Sequence, residues 1–292
     1  MNPTVQLLRL LLLADFPSGS SVNFIAEQLY LVGDDATHIL VLDLQYNQRD
    51  SIHLFDNSSK RIPKHEKSDY EASTLLNSDT LLILGSSSTT KREQVAIIPL
   101  RDPASRSTHN TGDFINRIKA SGISEINIEG VTLIGDDFVL ANRGNNSNPH
   151  NHLIISSNAF WKNQRTAAIS VRPITIPSTI KNFIGVSGLQ YVSSNDVLLL
   201  TLSSENTSNA FDDGSIGNSY LGWIKNVSSK MKLNTLALDG LIDLSRAGQE
   251  LSNQKIEGLC VESRDGDAYV VHLISDNDRG QTMLFKVKVV VP

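Results

Sequence analysis

The strongest constraint on this chain is that it repeats itself. The segment "IEGVTLIGDDFVLANRGN" at 128 has a counterpart in "IEGLCVESRDGDAYVVHLISDND" at 256. "YEASTLLNSDTLLILGSSS" at 70 and "VSGLQYVSSNDVLLLTLSSEN" at 186 follow the same plan, and a weaker copy, "GSSVNFIAEQLYLVGDD", begins at 19. Each copy has a Glu or Ser beside a small residue, then an apolar run, a polar turn, a second apolar run and a polar loop. The marked position falls at Ser20, Glu71, Glu129, Ser187 and Glu257, at intervals of 51, 58, 58 and 70 residues. A fixed period of this size means an architecture built from one supersecondary unit.

Between the copies lie "HILVLDL", "EQVAIIPL", "HLIISS", "AAISVRPITI" and "QTMLFKVKVVV". Their β-branched and alternating composition reads as strand. Helical pattern is confined to 111–120, with Asp113 near its start. Four strands per period in an all-β chain predict a single β-propeller domain over 1–292, with four-stranded antiparallel blades around a central channel. Blades start near 19, 70, 128, 186 and 256. Five blades follow from five copies, and six stay open because the 70-residue interval has room for a degenerate one. The N-terminal run "VQLLRLLLL" is expected to complete the blade of the C-terminal "LFKVKVVV", leaving no bare sheet edge. A two-sheet sandwich or two small β domains are the rivals, and neither explains the recurring Glu/Ser position.

In a blade the innermost strand lines the channel and a hairpin brings the chain back beside it. Equal steps from the turn "GDD" place Glu129 opposite Arg143. The same count sets Glu257 near Ser275 and Asp276, and Glu71 beside Gly85 and Ser86. Glu71, Glu129 and Glu257 then belong to a ring at one channel mouth, completed by Ser20 and Ser187. At roughly 7 Å and an effective dielectric of 20, each carboxylate pair costs about 2 kcal/mol. Compensation comes from Arg143, Arg92 or Lys91, from a bound cation, or from a raised pKa on one Glu. Calcium prefers oxygens of the kind offered by the Glu trio with Asn142, Asn145, Asp276, Asn277 and Asp278. A purely architectural role for the glutamates, accepting backbone N–H groups or pairing with Arg, is the alternative.

A net charge of −5 and the absence of a basic block disfavour nucleic-acid and membrane partners. The single cysteine, Cys260, excludes an intrachain disulfide and reads as a core residue. The N-terminus lacks the basic start of a signal peptide and no segment is long enough to span a membrane, so cytoplasm is favoured over periplasm or secretion. The sequons at Asn57, Asn145, Asn206 and Asn226 are then incidental. "HNH" at 150–152 has no third ligand at a diagnostic spacing and reads as exposed loop. His38, His65 and His272 read as ordinary surface or strand residues. "GSSS" and "GVSG" lack the strand-turn-helix context of a serine nucleophile. "AFDDGSIGNS" at 210–219 reads as a solvated loop and "SRDGD" at 263–267 as a hairpin turn.

"IEG" heading a strand with "NRGN" after the next, and "IEGL" followed by "SDND", resemble a bacterial β-propeller family of uncharacterised function. That family is related in pattern to the phytase-like esterase propellers and the SdiA-regulated-type propellers, and the likeness covers about residues 19–289. The resemblance implies an acidic channel mouth, and in the phytase-like relatives calcium supports phosphoester hydrolysis. Glu71, Glu129 and Glu257 match the acidic channel positions; Arg143, Asp276 and Asp278 match the polar loop positions. Ser187 and Ser20 depart from the acidic pattern, and no dense Lys/Arg set suits a highly phosphorylated substrate.

The expectation is a soluble propeller that binds a cation, calcium among them, or a small polar ligand at its channel mouth. Its expected contacts are Glu71, Arg92, Glu129, Asn142, Arg143, Asn145, Glu257, Asp276 and Asp278. One rival is a metal-assisted esterase or phosphoesterase using Glu129, with Arg143 steadying the developing anion. The other is a protein-interaction platform, which would show an apolar surface patch.

Overall fold

The computed structural model describes residues 2–55, 61–180, 182–209, 214–277 and 280–292. An N-terminal strand, β1 (Thr4–Leu13), precedes the first blade. Blade one is β2 (Gly19–Ile25), β3 (Gln28–Gly33), β4 (His38–Asp43) and β5 (Gln48–His53); blade two is β6 (Tyr70–Asn77), β7 (Thr80–Gly85), β8 (Gln94–Pro99) and β9 (Ser107–Asn110). Blade three is β10 (Ile128–Ile134), β11 (Asp137–Asn142), β12 (His152–Ser157) and β13 (Ile169–Thr175). Blade four is β14 (Gly185–Val192), β15 (Val197–Asn206), β16 (Ser215–Lys225) and β18 (Gly240–Asp243), while the short β17 (Leu236–Ala237) leaves it to lie parallel against β13. Blade five is β19 (Lys255–Asp265), β20 (Ala268–Asp276) and β21 (Thr282–Val290), completed on its outer edge by β1 antiparallel to β21.

The chain is therefore a five-bladed propeller closed by its own N-terminal strand. The 70-residue interval contains no sixth blade: β15 and β16 are 10 and 11 residues long, and the rest goes to β17, β18 and helix α2 (Val227–Lys230). Helix α1 (Gly112–Ala120), with Asp113 in its first turn, buries Phe114, Ile115 and Ile118 between blades two and three. Apolar side chains on facing blades form the core, so each sheet is buried on both faces. Cys260 is buried as expected. No described helix is long and apolar enough to cross a membrane.

Blade five meets blade one through a buried polar chain. His272 is fully buried; Tyr46 Oη lies 2.8 Å from its Nδ1 and Glu262 Oε2 2.7 Å from its Nε2. Lys286 pairs with Glu262, and Arg9 of β1 lies over the Tyr46 ring. His272 is thus an interior residue that ties the closing blade to the first, in contrast to the surface or ordinary strand role expected from its isolation. Of "HNH", His150 is exposed but Asn151 is buried, accepting from the backbone N–H of Gly144 and Val186 and donating to the carbonyl of Ile184.

One irregularity recurs in every blade. Pairing between the two inner strands skips Ser20, Glu71, Glu129, Ser187 and Glu257, because each sits in a β-bulge at the head of the inner strand. The marked position of the sequence repeat is this bulge. The following residue is Ser21, Ala72, Gly130, Gly188 or Gly258, all small because a neighbouring inner strand packs there. A Cβ on Gly188 would lie 3.0 Å from the Cα of Gly258, and one on Gly258 would lie 2.9 Å from the carbonyl oxygen of Ser20. Gly188→Ala is expected to destabilise the protein by about 1–3 kcal/mol through overpacking against an immovable backbone, measured as a lower urea midpoint with an unchanged m-value.

Candidate functional site

The bulge skips one residue on the inner strand, so facing pairs depart from a symmetric hairpin count. Ile128, not Glu129, stands opposite Asn142, and the N–H of Arg143 donates to the carbonyl of Asn127. The expected Glu129–Arg143 pair does not form. Arg143 instead crosses to blades four and five: Nη2 is 3.1 Å from Glu205 Oε2, Nη1 donates to Ser203 Oγ at 2.9 Å, and Nη1 is 3.8 Å from Glu257 Oε2. Gly185 leaves room for this, since a Cβ there would fall 2.6 Å from Arg143 Nε.

A cavity of about 300 Å³ opens at this end of the channel and is lined from all five blades. Below it the inner strands leave only about 10 Å³, on the order of one water. Ser20, Glu71, Glu129 and Glu257 line that narrow part, and Glu71 and Glu129 line the cavity as well. The two bulge serines are architectural. Ser20 donates to the carbonyl of Tyr70 at 2.5 Å and Ser187 to that of Ile256 at 2.6 Å, each stapling its blade to the strand that carries the next glutamate.

Around the cavity the charges sort into two paired groups. On one side Lys67 bridges Asp34 and Asp69, Arg92 Nη1 lies 2.7 Å from Asp69 Oδ2, and Arg61 holds Asp35 at 2.6 Å. On the other, Lys255 Nζ is 3.0 Å from Glu257 Oε1 and 3.5 Å from Glu205 Oε2, alongside Arg143. Glu71 and Glu129 have no ion pair with any described residue. Asn127 donates to Glu129 Oε1 at 2.6 Å, and Glu71 has no hydrogen-bond partner among the described residues.

Burial followed by the field of Glu257 pushes the Glu129 carboxyl up to about 8, against the opposing pull of Arg143 and Lys255. Burial, then Asp69 and Glu129, hold Glu71 well above the ordinary carboxylate range. Glu257 is raised mainly by burial, with Lys255 and Arg143 opposing. Burial likewise lifts Asp34 to about 6, although Lys67 pulls it down.

Of the residues expected from sequence, Glu71, Arg92, Glu129, Arg143 and Asp276 line the cavity, and Glu257 lies just beneath. Asn142 and Asn145 do not line it. Asn142 accepts from the N–H of Asn127 and donates to the carbonyl of Glu125; Asn145 donates to Glu125 Oε2, so both shape the loop behind the wall. Asp278 and part of "AFDDGSIGNS" lie outside the described residues. Sequence reasoning missed Asp34, Asp35, Lys67, Asp69, Glu205 and Lys255. A signal existed for two of them: two positions before the bulge stand Ser18, Asp69, Asn127 and Lys255, all lining the cavity.

Carboxylate oxygens of Asp34, Asp69 and Glu71 lie within 4.8 Å of one another. The trio expected to hold a metal, Glu71, Glu129 and Glu257, shares only Glu71 with this cluster. Lys67 already bridges Asp34 and Asp69, and Ser86 and Arg92 occupy the other Asp69 oxygen. An ammonium in that position makes a poor calcium cage, which requires six to eight free oxygens.

The chain belongs to a family of unknown function, DUF6929, whose model matches residues 15–289. No curated protein matches it. Among solved structures it is similar to the glutaminyl cyclase of Myxococcus xanthus, at 12% identity, with 99% of this chain and 98% of that one covered and a TM-score of 0.59. It is more distantly similar to virginiamycin B lyase from Staphylococcus aureus, at 8% identity, with full coverage of both chains and a TM-score of 0.42. The likeness to the glutaminyl cyclase is one of fold, and the resemblance to phytase-like esterases gains no support from these comparisons.

Glu129 keeps its proton in the folded protein up to about pH 8, whereas in the unfolded chain it loses it near 4.5. Folding therefore takes up a proton between those values, and this group's contribution to stability falls as pH rises through the window. Glu129→Gln, which retains an acceptor for Asn127, should melt with the wild type near pH 4.5 and progressively above it toward pH 8; a pH series of thermal midpoints checks this.

Proposed function

We propose that the channel mouth binds a small polar organic ligand, with Glu71 and Glu129 as its contact groups. The observation that carries this reading is the pairing pattern. Asp34, Asp35, Asp69 and Glu205 each have a protein cation, while the two bulge glutamates of adjacent blades face the cavity with none among the described residues. Keeping unneutralised carboxyl groups in a buried site is costly, and such sites are where function concentrates. The cavity is at the small end of the range for ligand pockets, so the ligand has few heavy atoms. A divalent cation suits the site less well, since Lys67 would have to be displaced from Asp34 and Asp69.

A proton-transfer role for Glu129 is the second reading, favoured by its titration near neutral pH, where a carboxyl group can both give and take a proton. The shared fold with a glutaminyl cyclase is a likeness of architecture and assigns no residue here. The interaction-platform rival rests on a different feature, the exposed Leu8, Leu10 and Leu12 of β1 at the outer rim of blade five.

The binding reading is tested by thermal melts against small polar compounds at millimolar concentration: amino acids, amides, amines, sugars, carboxylates and phosphates. At least one class should raise the wild-type midpoint and lose its effect in the Glu71→Gln/Glu129→Gln double variant. Ligands that act equally on the double variant, or no ligand at all, would overturn it. Calcium and chelator should leave the midpoint unchanged.

A further inference from the structure

Among the described residues, the mouth is short of hydrogen-bond donors as well as of positive charge. Seven acidic side chains line the cavity against six basic ones, and Glu257 adds a further carboxyl just below. Buried oxygens Asp34 Oδ1, Asp35 Oδ1 and Glu257 Oε2 have no hydrogen-bond donor among the described residues, although their partner oxygens are all bound by cations. The N–H groups of Lys67, Arg61, Arg92, Arg143 and Lys255 are thus engaged elsewhere in the wall. Glu71 has no donor among the described residues, and Glu129 is given one, by Asn127. Native proteins rarely leave so many buried acceptors around one cavity.

The missing component has to bring donors and positive charge. An anionic ligand would add to the acidic surplus. A neutral polyol brings donors without charge. A divalent ion brings charge but needs free oxygens, and Lys67 holds Asp34 and Asp69. A primary ammonium supplies three donors and one charge in a compact group.

We infer that the ligand is an organic primary amine, bound as its ammonium between Glu71 and Glu129 at the channel mouth. This rests on the reading of the mouth as a ligand site and adds the ligand's chemical class. The ammonium donates to the cavity-facing carboxylate of Glu71 and to the Glu129 oxygen that Asn127 leaves open. The remainder of the molecule lies in the cavity above, within reach of the paired cations. Amine binding keeps Glu71 and Glu129 ionised, so binding and proton release from both are linked, and affinity rises with pH until the amine itself deprotonates.

Matched probes isolate the charge: glycinamide and butylamine against their hydroxyl isosteres glycolamide and butanol, with calcium chloride alongside. At about tenfold the dissociation constant the amines should raise the wild-type midpoint by about 2–4 °C. The isosteres should have no effect, and both Glu71→Gln and Glu71→Ala should lose the amine response. Titration calorimetry of glycinamide at two pH values below the amine's own pKa should show tighter binding at the higher one. Equal shifts from the hydroxyl isosteres would overturn the amine assignment, as would an amine response retained in both Glu71 variants. A calcium shift lost in Glu71→Gln would replace the amine with a metal. If no amine acts but another polar class does so through Glu71 and Glu129, the amine class falls and the ligand site stands. If nothing binds, both fall.

Discussion

The whole molecule depends on one backbone device, a β-bulge at the head of each inner strand. A bulge strengthens local twist and turns the extra residue out of the ladder. Repeated five times around an axis, it lets the inner strands converge on a channel only about 10 Å³ in free volume. The residue after the bulge in blades three, four and five is glycine, because neighbouring backbones approach to within contact of where its Cβ would stand. The bulge residue itself is free of that constraint and can be chosen for chemistry. Ser20 and Ser187 use the position to hydrogen-bond the adjacent blade; Glu71, Glu129 and Glu257 use it to put carboxyl groups on the axis.

Placing three carboxyl groups so close makes electrostatics the second determinant. The protein neutralises Glu257 with Lys255 and Arg143, and it neutralises Asp34, Asp35 and Asp69 with Lys67, Arg61 and Arg92. It stops short at Glu71 and Glu129. Burial and the fields of neighbouring carboxylates, Glu257 for Glu129 and Asp69 with Glu129 for Glu71, leave these two favouring their protonated forms. Blades one and four carry serine at the same position. The presence of Glu71 and Glu129 in blades two and three, beside a cavity, is the observation on which the proposal of a ligand site rests.

Much of this was legible in the sequence because it is periodic. The apolar strand runs, the helix at 112–120 and the five Glu/Ser positions all recur or stand out locally, and they led to the five blades and to Ser20, Glu71, Glu129 and Glu257, which line the narrow channel. What escaped is non-periodic or long-range. A hairpin count assumes one residue facing one, and equal steps from Asp136 put Arg143 opposite Glu129; the actual register and the bulge set Ile128 opposite Asn142 instead. The real partner of Arg143, Glu205, is 62 residues away in another blade. Lys67 lies in the connection between blades one and two, which carries no repeat. His272 looked ordinary because Tyr46 is 226 residues distant and only ring closure brings them together.

The central claim is that Glu129 stays uncharged at the channel mouth until something positive arrives. Its side-chain carboxyl can be followed directly by carbon NMR in protein labelled at glutamate, with Glu129→Gln supplying the assignment. The account predicts a titration near pH 8, well above that of the exposed glutamates. A midpoint near 4.5, the ordinary glutamate value, would mean that the carboxylate is already compensated, and the mouth would then have no need of a ligand.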